Sequence, residues 1–557
     1  METAEILIHL TFWAYLLADA LAVTVAAIPF VHMLQLESYQ GRMYLKWVAK
    51  HRGQWTGPLL AGAAGLLLRV AGMILGEGVG TWIWRVGDLV YTANLAIYGF
   101  AALKRQKEAK KPLAYTARVK RLLLPLFILA LLGPILRLWL QSLYMAQLLN
   151  GIQPWGGWMD YGFWPELVRF LPGMLLPLTV FGAYLITWPL EKLVQGWYLN
   201  DAKKRLLKNP ELIRIGITGS FGKTSTKYVL GTLLAETYNT LFTPGSFNTP
   251  MGVTRVIREQ LTDDHQVFIA EMGARYKGDI AELCRLVRPR YGIITAVGKQ
   301  HLETFGSLEN VIRTKAELMA GLTDDGICFL NGDDPICRGI YEGYDIPGKK
   351  YLFGTEGEGL YMRAEHISVG PEGSRFELAA SDGGRIPCAT ALLGRHNILN
   401  ITGAAALAYY LGLTGEEIAA GIAKLEPVEH RLQLIKGPIT VIDDAFNANP
   451  VGAGEALEVL GRFPGRRIIV TPGLVELGEE QAALNEEFGA HIAACADIAI
   501  LVGPNGPAME AGLLRADFPQ SCLIRVDTLA QATEKLPLYQ EPGCTVLFEN
   551  DLTDNYN

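Results

Sequence analysis

The chain has 557 residues, enough for roughly three or four domains of ordinary size, and half of them are apolar. Its formal net charge of −6 excludes a general electrostatic attraction for nucleic acid or for an anionic surface. The seven cysteines form no Cys-x-x-Cys pair and no zinc-like spacing, so we expect reduced thiols in a cytosolic compartment. Residues 1 to about 200 are rich in Leu, Ala, Trp and Tyr, whereas the remainder is typical of a soluble α/β protein.

Five apolar stretches in the first 200 residues are long enough, or nearly so, to cross a bilayer as helices. A cleavable signal peptide is excluded, because the first stretch lacks a basic start and further spans follow it. The predicted spans lie near residues 6–31, 57–76, 86–103, 122–144 and 167–190.

The loops between these stretches predict an orientation. The loops near 35–55 and 104–121 are rich in Lys and Arg, whereas 77–85 and 145–166 hold almost none. Since basic loops stay on the cytoplasmic side, the pattern predicts an outside N-terminus, five spans and an inside C-terminus. This places the protein in the inner cell membrane, in contact with lipid, with its remaining domains in the cytoplasm. The alternative is a very apolar soluble helical domain. In that case the difference in Lys and Arg content between the loops would be a coincidence.

Two arginines, Arg69 and Arg137, fall within the predicted spans. Charge in lipid is costly, so such residues often face a cavity, a partner or a lipid head group. Snorkelling, or a misplaced span boundary, is the other interpretation.

A glycine-rich turn follows the membrane section. "LIRIGITGS" is a short β-rich run, and the helical pattern "KTSTKYVLGTLLAE" begins soon after it. Strand, glycine turn and helix form the context of a phosphate-binding P-loop, in which backbone N–H groups surround the phosphates. Lys223 is expected to reach the β and γ oxygens, and the Thr224 hydroxyl to bind Mg²⁺. The remaining predicted phosphate-loop residues are Gly219, Ser220, Gly222 and Ser225.

The motif Thr-Gly-Ser-x-Gly-Lys-Thr-x-Thr-Lys resembles the Mur ligases, which join amino acids or peptides to the peptidoglycan precursor using ATP. Further blocks resemble the family in the family's order, and "VIDDAFNANP" and "VELGEE" are similar to its D-alanyl-D-alanine-adding branch. These blocks are "TPGSFNTPMGV" (243–253), "FIAEMGARYKGDI" (268–280), "GIITAVGKQHLETFGSLENVIRTKAEL" (292–318), "LLGRHNILNITGAAALA" (392–408), "EHRLQ" (429–433), "VIDDAFNANP" (441–450) and "VELGEE" (475–480).

The resemblance implies the metal-binding and catalytic residues. Thr224 and Glu271 are the expected ligands of a first Mg²⁺, since hydroxyl and carboxylate oxygens suit a hard cation. His301 resembles the family's ligand of a second Mg²⁺. Lys315 resembles a lysine that is carbamylated by CO₂ in related ligases and then supports the second metal. Each of Glu271, His301 and Lys315, taken alone, has an ordinary structural interpretation, and the roles rest on the surrounding match.

The resemblance also implies the nucleotide contacts. Asn397 resembles the residue that holds the adenine, and Arg431 and Asp444 resemble contacts that the C-terminal domain brings over on closure. Closure excludes water and protects an acyl phosphate. Asn447 and Asn449 are substrate-side or hinge positions without a firm role.

The predicted fold class is α/β: a multi-pass helical membrane domain, then a P-loop α/β ATPase domain and a C-terminal Rossmann-like α/β domain. The expected boundaries are 1–200, 208–427 and 428–557. Alternating strand and helix patterns support the last two domains, and residues 350–392 are typical of strands and turns. The family's small domain for the UDP end of the substrate is missing, and the acidic tail "VLFENDLTDNYN" stands where a Lys-Gly-Ser ending is usual.

Three functions follow, with protein partners left open. The first is ATP-dependent addition of D-Ala-D-Ala to UDP-MurNAc-tripeptide through an acyl phosphate. The second is ligation of an amino acid or dipeptide on a lipid-linked muropeptide, or on another poly-amino-acid polymer, which five spans favour. The third is a non-catalytic, nucleotide-responsive membrane scaffold, which has no chemical use for Lys223, Glu271 and Lys315 together.

Overall fold

The protein, described here by a computed structural model, divides into two units, Met1–Gly196 and Trp197–Asn557. The structure describes residues 2–76, 78–108, 112–150, 163–245, 247–298, 302–427, 430–445, 450–475 and 477–550. Three residues singled out in the sequence, His301, Asn447 and Asn449, lie outside these ranges. The domain boundaries at residues 200, 208 and 427 remain predictions.

The first unit is helical throughout most of its described residues, and its last helix continues into the second unit. The helices are α1 (Glu2–Ala26), α2 (Ile28–Leu36), α3 (Gly41–Lys50), α4 (Gly53–Leu75), α5 (Val79–Glu108), α6 (Ala117–Leu149), α7 (Trp164–Met174) and α8 (Leu176–Lys208).

Four helical segments are long and apolar enough to cross a membrane, namely Leu16–Leu36, Gly53–Leu75, Val79–Gln106 and Ala117–Tyr144. The fifth predicted stretch, 167–190, falls on α7 and α8, which are bent by 83° at their junction. Proline explains the break, because Pro177 has no N–H to donate to the carbonyl one turn earlier. At the same bend, the Thr179 hydroxyl donates to the Pro172 carbonyl at 2.9 Å. If α7 and α8 together cross the membrane once, they form a fifth span.

The outward faces of these helices are apolar. Leu67, Trp82 and Phe100 are 69%, 69% and 71% exposed, which is costly in water but not against lipid tails. Inside the unit, α4 and α5 approach closely along glycines: a Cβ on Gly65 would lie 3.0 Å from the Gly87 carbonyl oxygen. Small residues at a helix contact are typical of membrane helices.

A buried network of charges joins the helices of the first unit. Arg69, fully buried, donates to Glu166 at 2.7 Å and also pairs with Asp88. Arg137 lies 2.7 Å from the same Glu166 carboxylate, and Arg169 pairs with Asp88. The two arginines that the sequence places within spans are therefore ion-paired inside the unit. We name these five residues the helical charge network.

Replacing Arg69 by Met tests how much this network stabilises the unit. The change leaves Glu166 and Asp88 with fewer cations in an apolar interior, and breaking a buried pair in this way costs about 3–5 kcal/mol. We expect a clearly lower unfolding temperature for the detergent-purified full chain. Leu67→Ala, two residues away on an exposed face, is the control. Equal unfolding temperatures for the two variants would contradict a stabilising network.

The second unit begins with a nine-stranded sheet in the order β2-β3-β1-β4-β5-β6-β7-β8-β9. Pairing is parallel up to β7, and β7, β8 and β9 are antiparallel. Its strands are β1 (Ile213–Thr218), β2 (Thr240–Phe242), β3 (Val267–Glu271), β4 (Tyr291–Ile294), β5 (Ile327–Asn331), β6 (Lys349–Gly354), β7 (Leu360–Gly370), β8 (Gly373–Ala380) and β9 (Arg385–Thr390).

Helices cover this sheet, and several begin at residues that cap them. Thr249, Ser307 and Asp334 each accept a backbone N–H of the first turn, and Thr414 forms a capping box with Glu417. The helices are α9 (Lys223–Leu234), α10 (Pro250–Glu259), α11 (Asp279–Val287), α12 (Leu302–Phe305), α13 (Leu308–Ala320), α14 (Pro335–Gly343), α15 (Arg395–Tyr410) and α16 (Gly415–Ala423).

A second sheet, of six strands, follows in the order β10-β11-β15-β12-β13-β14, with only β10 antiparallel to its neighbour. The strands are β10 (Gln433–Ile435), β11 (Thr440–Asp444), β12 (Arg467–Thr471), β13 (Ile498–Val502), β14 (Leu523–Val526) and β15 (Thr545–Glu549), with α17 (Pro450–Gly461), α18 (Gln481–Cys495), α19 (Gly506–Arg515) and α20 (Leu529–Lys535). The predicted fold class, helices followed by two α/β domains, is confirmed. All seven cysteines are free.

Candidate active site

The glycine-rich turn joins the end of β1 to the start of α9. Gly222 precedes the helix with a φ of 77°, where a side chain would also collide with Asn400. The first helical hydrogen bond runs from Thr226 N to Gly222 O at 2.9 Å, so the amides of residues 223–225 have no acceptor within the helix. These free amides at a helix N-terminus fit a phosphate group.

Lys223 lies folded back over this turn. Its Nζ donates to the carbonyl oxygens of Gly219 and Ser220, at 2.8 and 2.9 Å. Burial lowers the pKa of Lys223 to about 8, with Glu271 opposing the shift and Arg431 adding to it. A bound phosphate would stabilise the ammonium form and replace the carbonyl contacts.

Glu271 ends β3, beside the glycine turn. Because β3 pairs in parallel with β1, with Ile217 opposite Glu271, the carboxylate lies at the same sheet edge as the P-loop. Burial alone would raise the pKa of Glu271, but Lys227, Lys223 and a hydrogen bond from Asn248 outweigh it, so the pKa lies below its ordinary value. The group is therefore an anion at neutral pH.

The oxygens around Glu271 fit the Mg²⁺ that the sequence predicts. Lys227 Nζ and Asn248 Nδ2 each donate to one carboxylate oxygen, both at 3.0 Å. An ionised carboxylate has about four acceptor positions, so two remain for a cation. The sequence also predicts the Thr224 hydroxyl as a ligand, and hydroxyl and carboxylate oxygens are of the hard kind that Mg²⁺ prefers.

Lys315 lies on α13 with 2% of its surface exposed, and it forms no hydrogen bond through its side chain with any described residue. Burial lowers its pKa well below the ordinary value; Lys223 adds to this shift, while Asp279 and Glu317 oppose it. The neutral form of its amine is therefore favoured relative to that of an exposed lysine. The predicted role of His301 stays a prediction, since that residue is not described.

A cleft of about 410 Å³ adjoins the P-loop. Asn397, at the start of α15, donates to the Leu393 carbonyl at 2.8 Å. Arg431 and Asp444 come from the segment that contains the second sheet. The structure thus brings five of the predicted nucleotide-binding residues into one cleft, namely Gly222, Ser225, Asn397, Arg431 and Asp444. Thr224, Ser225, Asn397 and Arg431 also line an adjoining cleft of about 580 Å³.

His396 and Glu455 close one wall of the 410 Å³ cleft. The His396 ring pairs with the Glu455 carboxylate, which also accepts the His396 backbone N–H at 3.0 Å. Burial opposes protonation of His396, but Glu455 and Asp444 outweigh it and raise its pKa. This contact links α15 to α17.

The sequence interpretation missed Lys227, Asn248, Asn400 and Glu455. Lys227 was within reach of that reasoning, because it follows Lys223 by four residues and so shares its helix face. Asn248 lies in the quoted loop "TPGSFNTPMGV", but its contact with Glu271 depends on the path of that loop. No sequence pattern around Glu455 indicates its contact with His396.

Another group of possible metal ligands lies on β7 and β8. Glu365, His366 and Glu377 offer ligand atoms within 4.8 Å of one another. Arg385 contacts both carboxylates, at 3.1 Å from Glu365. We assign this group to surface ion pairing.

Comparison with known proteins agrees with this geometry. The family model "Mur ligase middle domain" matches residues 217–408, and "Mur ligase, glutamate ligase domain" matches residues 430–549. The chain is 32% identical over 342 residues to the UDP-N-acetylmuramoyl-tripeptide--D-alanyl-D-alanine ligase of Escherichia coli, covering 59% of this chain and 74% of the relative. The chain belongs to the Mur ligase family. It is an ATP-dependent amide ligase, and Mur ligases use ATP and Mg²⁺.

Other relatives of this Mur ligase match over similar lengths. The Bacillus subtilis ligase of the same name is 31% identical over 283 residues, which are 50% of this chain and 60% of the relative. A solved structure of MurF from Acinetobacter baumannii gives a TM-score of 0.58 at 28% identity, covering 64% of this chain and 77% of that one. The MurF ligase from Thermotoga maritima in complex with ADP gives 0.57 at 26% identity, covering 64% and 80%.

Removal of Lys227 tests its pairing with Glu271. In Lys227→Met the buried Glu271 loses its ammonium partner, which costs about 3–5 kcal/mol of stability when a buried pair is broken. We expect a lower unfolding temperature for the full chain in detergent. The matched control is Lys424→Met, whose side chain is 61% exposed and pairs with Glu236. An exposed pair contributes about 0–1 kcal/mol, so the control should unfold close to the native chain. Equal losses in both variants would contradict the assignment.

Proposed function

We propose that this Mur ligase adds D-Ala-D-Ala, or a similar amine, to the terminal carboxylate of a UDP-MurNAc peptide. The observation that carries the proposal is the convergence of the P-loop, Glu271, Asn397, Arg431 and Asp444 on one edge and one cleft. The substrates are those of the Escherichia coli and Bacillus subtilis relatives, as their names state them.

Each of these residues has its own role in the proposed reaction. The amides of 223–225 and the Lys223 ammonium bind the phosphates, so that the γ-phosphoryl group is oriented toward the acceptor carboxylate. That carboxylate attacks phosphorus, ADP leaves, and an acyl phosphate forms. The amine then attacks the acyl carbon, and phosphate leaves. Thr224 and Glu271 would hold Mg²⁺, which supplies positive charge against the phosphate oxygens.

The membrane location and orientation are part of the proposal. Basic loops near 35–55 and 104–121 support an outside N-terminus and cytoplasmic ligase domains. Four spans, or five with the bent pair, are more than an anchor requires. This favours a second candidate acceptor, a muropeptide carried on a lipid.

Phosphate release by the full chain in detergent distinguishes the two acceptors. ATP, Mg²⁺ and D-Ala-D-Ala are supplied with either UDP-MurNAc-tripeptide or a lipid-linked muropeptide, and the product is identified by mass. We expect release and a pentapeptide product with the soluble nucleotide. Release with the lipid-linked acceptor alone would overturn that choice and support the second candidate. Lys223→Ala, which should lose about 10²–10³-fold in rate, controls for contaminating ATPases.

We further propose that Lys315 is carbamylated. Only a neutral amine reacts with CO₂, and burial lowers the pKa of Lys315 well below its ordinary value. The resulting carbamate is an anion that places oxygen ligands where the buried ammonium would repel a cation.

Bicarbonate dependence measures this modification. The rate of phosphate release should fall in CO₂-free buffer and recover when bicarbonate is added, and ¹³C-bicarbonate should give a carbamate signal by NMR. In Lys315→Ala the rate should be low and unresponsive to bicarbonate. The control is Arg313→Ala, which removes an exposed cation from the same helix and should respond like the native chain. A native chain that ignores bicarbonate and lacks the signal would contradict carbamylation.

A further inference from the structure

Glu549 is the last residue of β15, and it lies beside Asp444, the last residue of β11. The two strands are parallel and pair with Asp444 opposite Glu549. Directly opposite residues of neighbouring strands point to the same face, with backbones about 4.8 Å apart. Two carboxyl groups are thus placed side by side at the carboxyl edge of the second sheet.

Within the described ranges, no cation pairs with Glu549 to compensate a negative charge. Its side chain is fully buried, and no described N–H group or hydroxyl donates to either carboxyl oxygen. An isolated buried carboxylate is strongly disfavoured, so the group keeps its proton. Burial raises the pKa of Glu549 well above its ordinary value, and the charge of Asp444 adds to the shift.

Asp444 is in a different position. Its Oδ1 accepts the Leu432 backbone N–H at 3.0 Å. The positive charges of His396 and Arg431 stabilise the ionised form of Asp444. Burial raises the pKa of Asp444 too, yet these groups favour its anion over that of Glu549. Of the two acids, Glu549 is therefore the one whose protonated form its surroundings favour more strongly. Glu455, which pairs with His396, is the other acid that faces this cluster.

Asp444, unlike Glu549, lines the 410 Å³ cleft. We propose that Glu549 is a positioning residue: as a neutral acid it donates to Asp444 and so fixes that carboxylate as an acceptor for the ribose hydroxyls of the nucleotide. A carboxylate repels phosphate and accepts from hydroxyl groups, so the ribose is the part of a nucleotide that suits it. A second charge on Glu549 would disorder this acceptor. The inference rests on the nucleotide site of the proposed function, and it needs no acceptor or amine.

Equilibrium binding of ADP to the full chain in detergent tests the role. Glu549→Gln keeps a neutral donor and should bind ADP within about threefold of the native chain. Glu549→Leu removes the donor and should bind about tenfold more weakly, as expected for losing one hydrogen bond to a charged group. For an ADP analogue that lacks both ribose hydroxyls, the native chain and the Leu variant should have equal affinities. The control is Glu541→Gln, an exposed acid just before β15, which should bind like the native chain.

The pH dependence of unfolding reports the proton separately. An acid whose folded pKa is raised makes stability fall as the pH rises above its unfolded value, because the folded state then binds more protons. Relative to the native chain, Glu549→Gln should lose this component between the unfolded and the folded pKa of the acid, whereas Glu541→Gln should retain it.

Three results would overturn the inference. Equal ADP affinities of the Gln and Leu variants would contradict the role of Glu549 as a hydrogen-bond donor. An unchanged pH dependence of unfolding in the Gln variant would contradict protonation of Glu549 in the folded state. A native chain that binds no ADP would instead overturn the nucleotide site itself, and the role of Glu549 with it. That outcome differs from the first two because it is seen without any substitution.

Discussion

The parallel pairing of β1 with β3 and β4 is the constraint on which the ligase half depends. It brings the glycine turn, Glu271 and the segment after β4 to one edge of the sheet. The approach is close: the Ser220 amide donates to the Ala296 carbonyl at 2.6 Å, and a side chain at Gly219 would collide with Thr295. Any residue with a Cβ at Gly219 would separate the strands' ends, and the phosphate loop with them.

Positive charge dominates the interior of this edge. Lys227 and Lys315 are buried here, Lys223 and Arg431 are half-buried, and burial lowers the pKa of each cation. Glu271 interacts with three of them, Lys223, Lys227 and Arg431. An arrangement of three cations close to one carboxylate is unfavourable by itself. It becomes favourable when a polyphosphate enters, because the donors are already oriented and little reorganisation remains. The ion pair with Glu271 holds Lys227 in place in the meantime.

Sequence reasoning succeeded where the signal is local. The P-loop follows from a strand, a glycine turn and a helix within about twenty residues, and strands β12 and β13 follow from short apolar runs. It failed where the contact joins distant segments. Asn400 meets Thr226 across 174 residues, and Asp444 meets Glu549 through a strand order in which β15 inserts between β11 and β12. The bend between α7 and α8 was missed because hydropathy averages over the prolines that cause it.

The helical charge network has a consequence for how the protein is made. A single arginine near the centre of an isolated membrane helix costs about 2.5–3.5 kcal/mol to insert. Arg69, Arg137 and Arg169 lie on three different helices, and their acidic partners Asp88 and Glu166 lie on α5 and α7. The pairing of these charges links α4, α5, α6 and α7 to one another within the unit. Arg69 can pair with Asp88 as soon as α5 follows α4, whereas Glu166, the partner that the structure gives Arg137, arrives with α7.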